Sequence, residues 1–406
     1  MKINSIDIKS FKCFKNVSIN CLNSENKTFQ WTVLLGNNNT GKTSILKAIA
    51  NLGASELPAI SRGNIDSDSN SRKYVPFAYF NDEFGGELKD ESIVGCKISM
   101  SPDPNYFWRY NNSMASVSDE WIKPFQIYGY GVSRYPSQAK LTETVIDNSA
   151  TLFSPDKKLI NLEEWLMQLD YASKNENQLA VKRLYRVEEL LCSGLFPEII
   201  SFKVQSNEYL QNHVLFQTKD GWFRYPQLGY GYQSMLSWVV DLCKKMFDRY
   251  PNSENPLAES AIVLVDEIDL HLHPKWQRDV IPFLSKVFPN IQFIVTTHSP
   301  LVLQSMENVN LYVLRRDNDD VFAEKNPQTD FRGWTVEEIL RDVMRMDDDV
   351  YSNLYQSYFR EFEKGLNAKN YQIAFDAYSE LKKSLHPNNP LRRILEIQLN
   401  QLDKND

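Results

Sequence analysis

Residues 36–43 read Gly36-Asn37-Asn38-Asn39-Thr40-Gly41-Lys42-Thr43, and their surroundings decide the fold. Ahead of them Phe29-Gln30-Trp31-Thr32-Val33-Leu34-Leu35 forms an apolar run of strand length. Behind them, from Ser44, apolar residues 45, 46, 49 and 52 recur at helical spacing. Strand, Gly-rich loop and helix in that order make a P-loop. Its glycines let backbone N–H groups turn inward around a β-phosphate, Lys42 reaches the β- and γ-oxygens, and the Thr43 hydroxyl is a ligand for Mg²⁺. Average residue usage yields the eight-residue pattern by chance in about one chain in a hundred of this length, before the flanking elements are required. ATP and Mg²⁺ are therefore expected on Gly36 to Ser44.

Two further strand ends carry chemistry. Ala261-Ile262-Val263-Leu264-Val265 runs into Asp266-Glu267, and Ile291-Gln292-Phe293-Ile294-Val295 runs into Thr296-Thr297-His298-Ser299-Pro300. Between them apolar residues at 276, 280, 281, 284, 287 and 288 mark a helix, so the unit reads strand, helix, strand and implies a parallel sheet. Ligands bind at the carboxyl ends of such strands. Asp266 is placed to hold Mg²⁺, Glu267 to polarise an attacking water, and His298 to sense the γ-phosphate and position that water. An acidic pair alone is a weak signal, since solvated loops also carry such pairs. His271 and His273 stand two apart on a loop before Pro274 with no cysteine near, a poor zinc site.

Composition bounds the rest. The chain has 406 residues, 42% hydrophobic and 24% charged, which fits a globular protein and rules out wholesale disorder. A balance of 45 Lys+Arg against 52 Asp+Glu gives −7, so global charge offers no argument for nucleic-acid binding. No apolar stretch reaches the roughly 18 residues of a spanning helix, and the start Met1-Lys2-Ile3-Asn4 lacks a signal peptide's apolar block, so a cytoplasmic protein is expected. Five scattered cysteines suggest reduced thiols. Ile6-Asp7-Ile8 followed by Phe11 and Phe14 predicts an amino-terminal hairpin, residues 61–73 an exposed loop, and the aromatic runs 77–80, 106–110 and 125–130 antiparallel strands. From Leu159 to Leu195, and again after Phe331, the pattern is helical.

The P-loop, the segment Leu264-Val265-Asp266-Glu267-Ile268-Asp269-Leu270-His271-Leu272-His273-Pro274 and Val295-Thr296-Thr297-His298-Ser299-Pro300 resemble the ATP-binding-cassette ATPases of the SMC, RecF and OLD branch. Within that branch the chain is similar to the stand-alone ATPases of Septu and retron-associated anti-phage systems, which act beside an HNH nuclease. The resemblance covers roughly residues 1–320, and the tail Gly333-Trp334-Thr335-Val336-Glu337-Glu338-Ile339-Leu340 looks like the helical end of such ATPases. It implies an α/β head with a mixed, largely parallel sheet, an antiparallel β lobe and a short helical insertion. The segments are 1–158 with the P-loop, 159–200 as insertion, 201–330 with signature, acidic pair and switch histidine, and a helical region 331–406. The stretch from His298 to Asp406 is too short and too helical for a Toprim nuclease.

The family's signature is matched by Leu228-Gly229-Tyr230-Gly231-Tyr232-Gln233-Ser234, ahead of a helix expected at Met235–Leu242. In the resemblance this segment caps the γ-phosphate of ATP on the opposite subunit. A homodimer through the ATP sites, a higher homo-oligomer, a separate HNH-type nuclease, and DNA or RNA follow as expected partners, with no membrane. Gly229 stands where the family usually has serine, which removes one hydroxyl donor but leaves the amides around Gly231 and the helix dipole. His273-Pro274 reads as an interface element shared with OLD-like members. Gln126 and Gln138 are alternative lid glutamines, and Phe11-Lys12-Cys13-Phe14 matches the base-contacting turn. Two insertion helices of some 18 residues would span only about 27 Å, too short for DNA-bridging arms. Two rival functions remain: a repair clamp that binds DNA itself, for which Lys182-Arg183, Lys244-Lys245 and Arg392-Arg393 are compatible, and a nucleotide-gated scaffold with negligible turnover, which Gly229 favours.

Overall fold

The computed structural model describes residues 2–50, 94–101, 106–111, 114–117, 127–138, 148–192, 196, 198–209, 211–318, 320–346 and 352–403. The expected loop at 61–73, the aromatic run at 77–80 and Gln126 lie outside them. Two units emerge, Met1–Trp334 and Thr335–Asp406.

In the first unit the strands are β1 (Lys2–Phe11), β2 (Phe14–Asn20), β3 (Trp31–Gly36), β4 (Val94–Ser101), β5 (Tyr106–Asn111), β6 (Met114–Val117), β7 (Ile127–Tyr130), β8 (Ser201–Ser206), β9 (Asn212–Thr218), β10 (Gly221–Arg224), β11 (Ile262–Val265), β12 (Gln292–Thr296), β13 (Asn310–Asp317) and β14 (Asp320–Lys325). The sheet that matters for the site runs β14-β13-β3-β12-β11-β7. Its pairings from β13 through β7 are parallel, and only β14 turns back antiparallel at the edge. Strands buried on both faces need side chains apolar on both faces. β3 and β11 meet that demand with Trp31-Thr32-Val33-Leu34-Leu35 and Ile262-Val263-Leu264-Val265, all buried. Each Val, Leu or Ile so buried contributes up to about 1.5–3 kcal/mol. Register is pinned by Trp31 stacked on Phe293, ring centroids 4.2 Å apart.

The crossover from β11 to β12 is the helix Pro274–Val287, with Pro274 in its first turn and the His273 side chain accepting from the Lys275 N–H at 3.3 Å. His273 thus acts as a helix cap. An antiparallel sheet β2-β1-β4-β5-β6 stands beside the main sheet. Gln292, wholly buried at the start of β12, joins the two: its Nε2 donates to the Ile3 carbonyl at 2.9 Å and its Oε1 accepts from the Ile3 N–H at 2.7 Å. A third sheet, β10-β9-β8, packs with the helices Leu162–Lys174 and Gln178–Cys192.

Three expectations need correction. The run ending at Tyr130 is no antiparallel strand, because β7 pairs parallel with β11, Ile127 opposite Ile262. The helix expected at Met235–Leu242 starts earlier and runs longer, Tyr230–Arg249, so Gly231 and Ser234 lie within it. The basic pair Lys244-Lys245 is not a free positive surface: Lys245 is buried against Asp241 at 2.8 Å, and Lys244 meets Asp248 at 2.6 Å.

The second unit holds the helices Asn353–Asn367, Tyr371–Ser384 and Pro390–Asp403, capped at their starts by Ser352 and Asn370 for the first two. Its own core gathers Phe362, Ala374, Ala377, Tyr378, Leu381, Leu385, Leu395 and Leu399. Gly365 is required at the crossing, since a Cβ there would lie 2.5 Å from the Ala374 nitrogen.

Candidate active site

Four adjacent parallel strands, in the order β3, β12, β11 and β7, end on the same side and each delivers one part of the site. After β3 the chain turns through Gly36 and Gly41, both with positive φ, and enters the helix Lys42–Ala50. Gly41 is obligatory: at φ +82, a Cβ would also lie 2.5 Å from the Phe14 ring and 2.6 Å from Cys13 Sγ. Phe11-Lys12-Cys13-Phe14, at the β1–β2 turn, therefore packs on the P-loop. Asn37, Asn38 and Asn39 are exposed, Asn39 in the left-handed region with its carbonyl accepting from Arg316 at 2.6 Å. Thr40 closes the loop through its hydroxyl to the Asn37 carbonyl at 2.8 Å, and Ser44 is half-buried in the helix's first turn.

Lys42 curls back over this loop. Its Nζ donates to the Gly36 carbonyl at 2.8 Å and to that of Asn37 at 3.0 Å. Burial pulls its pKa below the ordinary lysine value, and Asp266, Glu267 and Asp269 oppose that fall. The ammonium is thus held at the loop's mouth by the Gly36 and Asn37 carbonyls, within the field of the acids that follow β11.

The Thr43 hydroxyl donates to Asp266 Oδ2 at 2.7 Å, and the Thr296 hydroxyl donates to Asp266 Oδ1, also at 2.7 Å. Thr296 meanwhile accepts from the Glu267 N–H at 2.7 Å, so one side chain at the end of β12 aligns both acids of β11. Glu267 itself sits at φ +47. For a residue with a Cβ this left-handed backbone costs roughly 1–2 kcal/mol and persists only where neighbours hold it. Next to it Thr297 donates to Asp269 at 2.5 Å, and His298 follows, half-buried, with its Nε2 buried and unpartnered. Burial, then the Lys42 charge, holds the His298 imidazole below the usual histidine pKa, so it is neutral at pH 7.

The structure therefore brings Gly36, Lys42, Thr43, Asp266, Glu267 and His298 into one site. Gly229 is the exposed amino-terminal cap residue of the helix Tyr230–Arg249, and Gly231 presses on the loop after Glu267, where a Cβ would lie 2.7 Å from the His271 carbonyl. Tyr230, 69% exposed, stands over His271 with rings 6.5 Å apart. Gln138 is exposed.

Sequence reasoning passed over Arg134. It is 2% exposed, its Nε donates to the Gly131 carbonyl at 2.8 Å, and its Nη2 donates to the carbonyls of both Asp266 and Glu267, the latter at 2.7 Å. An arginine four residues past a strand reads as a solvated loop residue. Its partners are backbone atoms 132 and 133 residues away, which no local pattern announces.

The chemistry of the donor set fits ATP with Mg²⁺. Two adjacent oxygens, one hydroxyl and one carboxylate, are the sparse hard-donor set with which Mg²⁺ is held alongside substrate phosphates. Among the described residues no cluster of three or more His, Cys, Asp or Glu side chains forms a separate metal cage. The buried His298 Nε2 marks a further polar group with no partner among the described residues.

Fold and site define a P-loop nucleotide-binding α/β protein. The family described as "AAA ATPase domain" matches residues 1–106, and that described as "AAA domain, putative AbiEii toxin, Type IV TA system" matches residues 145–304. The chain has homologues among the Septu PtuA proteins and the retron ATPases. It is 28% identical to Septu protein PtuA of Bacillus thuringiensis over 383 residues, 92% of each chain. It is 45% identical over 255 residues to the probable ATPase of retron Vc95 from Vibrio cholerae, covering 61% of this chain and 48% of that protein. It thus spans just under half the length of the Vibrio protein. Among solved structures, an SMC head bound to the winged-helix domain of ScpA aligns over 80% of this chain and 98% of its own, with 15% identity and a TM-score of 0.46.

Proposed function

We propose that the protein hydrolyses ATP to ADP and phosphate, that two copies close head to head around two nucleotides, and that this closure regulates a separate HNH-type nuclease in anti-phage defence. The observation that carries the reading is the hydroxyl–carboxylate–hydroxyl array Thr43–Asp266–Thr296, with the Glu267 backbone fixed to the same threonine. Thr43 and Asp266 would hold Mg²⁺, which when bound supplies positive charge against the β- and γ-phosphate oxygens. The Lys42 ammonium carries the same sign of charge from the loop. Glu267 takes the proton of the attacking water, and neutral His298 donates or accepts one hydrogen bond to orient that water or the γ-phosphate. Gly229, Gly231 and the amino-terminal dipole of the helix Tyr230–Arg249 offer amides to the nucleotide on the opposite copy.

The likeness to Septu protein PtuA over nearly the whole chain supports the defence role. No helix among the described residues is long and apolar enough to cross a membrane. Tying Lys244, Lys245 and Arg183 into ion pairs with Asp248 and Asp241 weakens the rival of a clamp that grips DNA through those residues. Gly229, with no side chain to donate, favours one second reading, a nucleotide-gated scaffold with very slow turnover. Phosphate release by the protein alone, with DNA or RNA, and with an HNH-type nuclease tests the proposal. ATP-dependent control of the nuclease supports it, whereas a nuclease indifferent to ATP and to the Lys42→Ala variant contradicts it.

A further inference from the structure

We infer that Arg134 is a positioning residue for Glu267: its guanidinium clamps the left-handed turn that presents the Glu267 carboxylate to the nucleotide. This rests on the reading of Glu267 as the base. The turn is held at two points. The Glu267 N–H is fixed by Thr296 Oγ1 at 2.7 Å, and the Glu267 carbonyl by Arg134 Nη2 at 2.7 Å, with the Asp266 carbonyl on the same nitrogen. Without the second point, a residue at φ +47 gains by relaxing toward negative φ, and that rotation swings its side chain away.

Arg134 is well anchored for the purpose. Its Nε folds back on the Gly131 carbonyl, and Gly131 lies so close under the backbone of Thr151 that a Cβ there would lie 2.0 Å from the Thr151 carbonyl oxygen. The loop after β7 therefore cannot slide, and β7 is itself sewn to the acidic turn by the Asp266 N–H on the Tyr130 carbonyl at 2.8 Å. Burying a guanidinium is costly, and its Nη1 has no partner among the described residues. Burial lowers its pKa to about 10, with Asp266, Asp269 and Glu267 opposing the fall, so the group stays charged at pH 7. A core position that needed only volume would be filled more stably by an apolar side chain. What an arginine adds is a planar fork that reaches two carbonyls from one nitrogen and a third from another, which lysine cannot copy.

The test uses the full chain with Arg134→Lys and Arg134→Gln, each also combined with Glu267→Gln. Nucleotide affinity is measured by calorimetry, turnover by phosphate release and folding by thermal melting. The inference predicts at least a tenfold fall in kcat for both single variants, ATP affinity within threefold of wild type, and no further loss of residual turnover when either is added to Glu267→Gln. A folded variant with wild-type kcat overturns it. An equal fold-loss in both backgrounds also overturns it, because Arg134 then acts independently of Glu267. Collapse of the fold in both variants assigns Arg134 to structure alone and likewise overturns it. Wild-type turnover by Glu267→Gln itself is a different failure, that of the assigned base.

Discussion

Restoring the signature serine by Gly229→Ser probes the least usual feature of the site. Gly229 has φ −61 and ψ 151, a backbone open to any residue, and an added Cβ meets nothing nearer than Tyr232 Cδ2 at 4.0 Å. The substitution therefore carries no steric or backbone cost. As the cap of the helix Tyr230–Arg249, a serine oxygen can accept from the amides of the first turn, which exceeds glycine by only a few tenths of a kcal/mol. That bond uses a lone pair, so the hydroxyl proton stays free to donate to a γ-phosphate on the opposite head. One such charge-assisted hydrogen bond is worth about 1.5–3 kcal/mol, and a dimer closed around two nucleotides gains two of them, which is roughly a 10²- to 10⁴-fold tightening of the ATP-bound dimer. Light scattering across a protein titration with ATP reads the dimer, and phosphate release reads turnover. Unchanged dimer affinity and unchanged turnover, with the helix intact, would refute the placing of Gly229 against a partner's nucleotide.

Three more perturbations bear on the same account. The His298 imidazole has a folded pKa below its unfolded value near 6.5, so the unfolded chain binds the proton first, and this residue's cost to stability develops as pH falls from about 6.5 through the lower folded pKa. An NMR titration should place His298 below 6.5, and His298→Gln should flatten that part of the stability profile. Lys245→Met leaves Asp241 buried beside the Tyr130 hydroxyl with no cation, which should cost about 3–5 kcal/mol in urea unfolding; a loss under 1 kcal/mol would show that the pair is dispensable. Deleting residues 335–406 should spare nucleotide binding while dissolving any larger assembly, as size-exclusion chromatography with light scattering reports; an unfolded product would make that unit part of the head's own stability.

Much of the site was legible because its strands announce themselves. β3, β11 and β12 are continuous apolar runs, each ending in residues of unmistakable chemistry: Gly36, Asp266 and Thr296 with His298. The parallel direction of β7 was hidden, since Ile127-Tyr128-Gly129-Tyr130 has the same composition as an antiparallel aromatic strand. Direction follows from partners, and its partner β11 lies over 130 residues on. The strands β8 to β10 and β14 went unread because polar residues interrupt them, whereas β13 offered a continuous apolar run, Leu311-Tyr312-Val313-Leu314, that was passed over. The helix Asn353–Asn367 falls within the helical region expected after Phe331, though its own stripe of Tyr355, Tyr358, Phe359, Phe362 and Leu366 is largely aromatic and interleaved with charge. Arg134 and Thr296 act through backbone atoms and hydroxyls, so their importance lies in geometry alone.

The central claim, that Glu267 is the base of an ATPase built on Lys42, Thr43 and Asp266, is tested most directly by measuring ATP affinity and phosphate release on one preparation each of wild type, Lys42→Ala and Glu267→Gln. The account predicts that Lys42→Ala loses ATP binding while remaining folded, its melting curve lowered only by the loss of the Nζ hydrogen bonds to the Gly36 and Asn37 carbonyls, each worth about 0.5–1.5 kcal/mol. It predicts that Glu267→Gln binds ATP as wild type does, accumulates as the dimer and releases phosphate at least a hundredfold more slowly. Wild-type phosphate release from Glu267→Gln, or undiminished ATP affinity in Lys42→Ala, would contradict it.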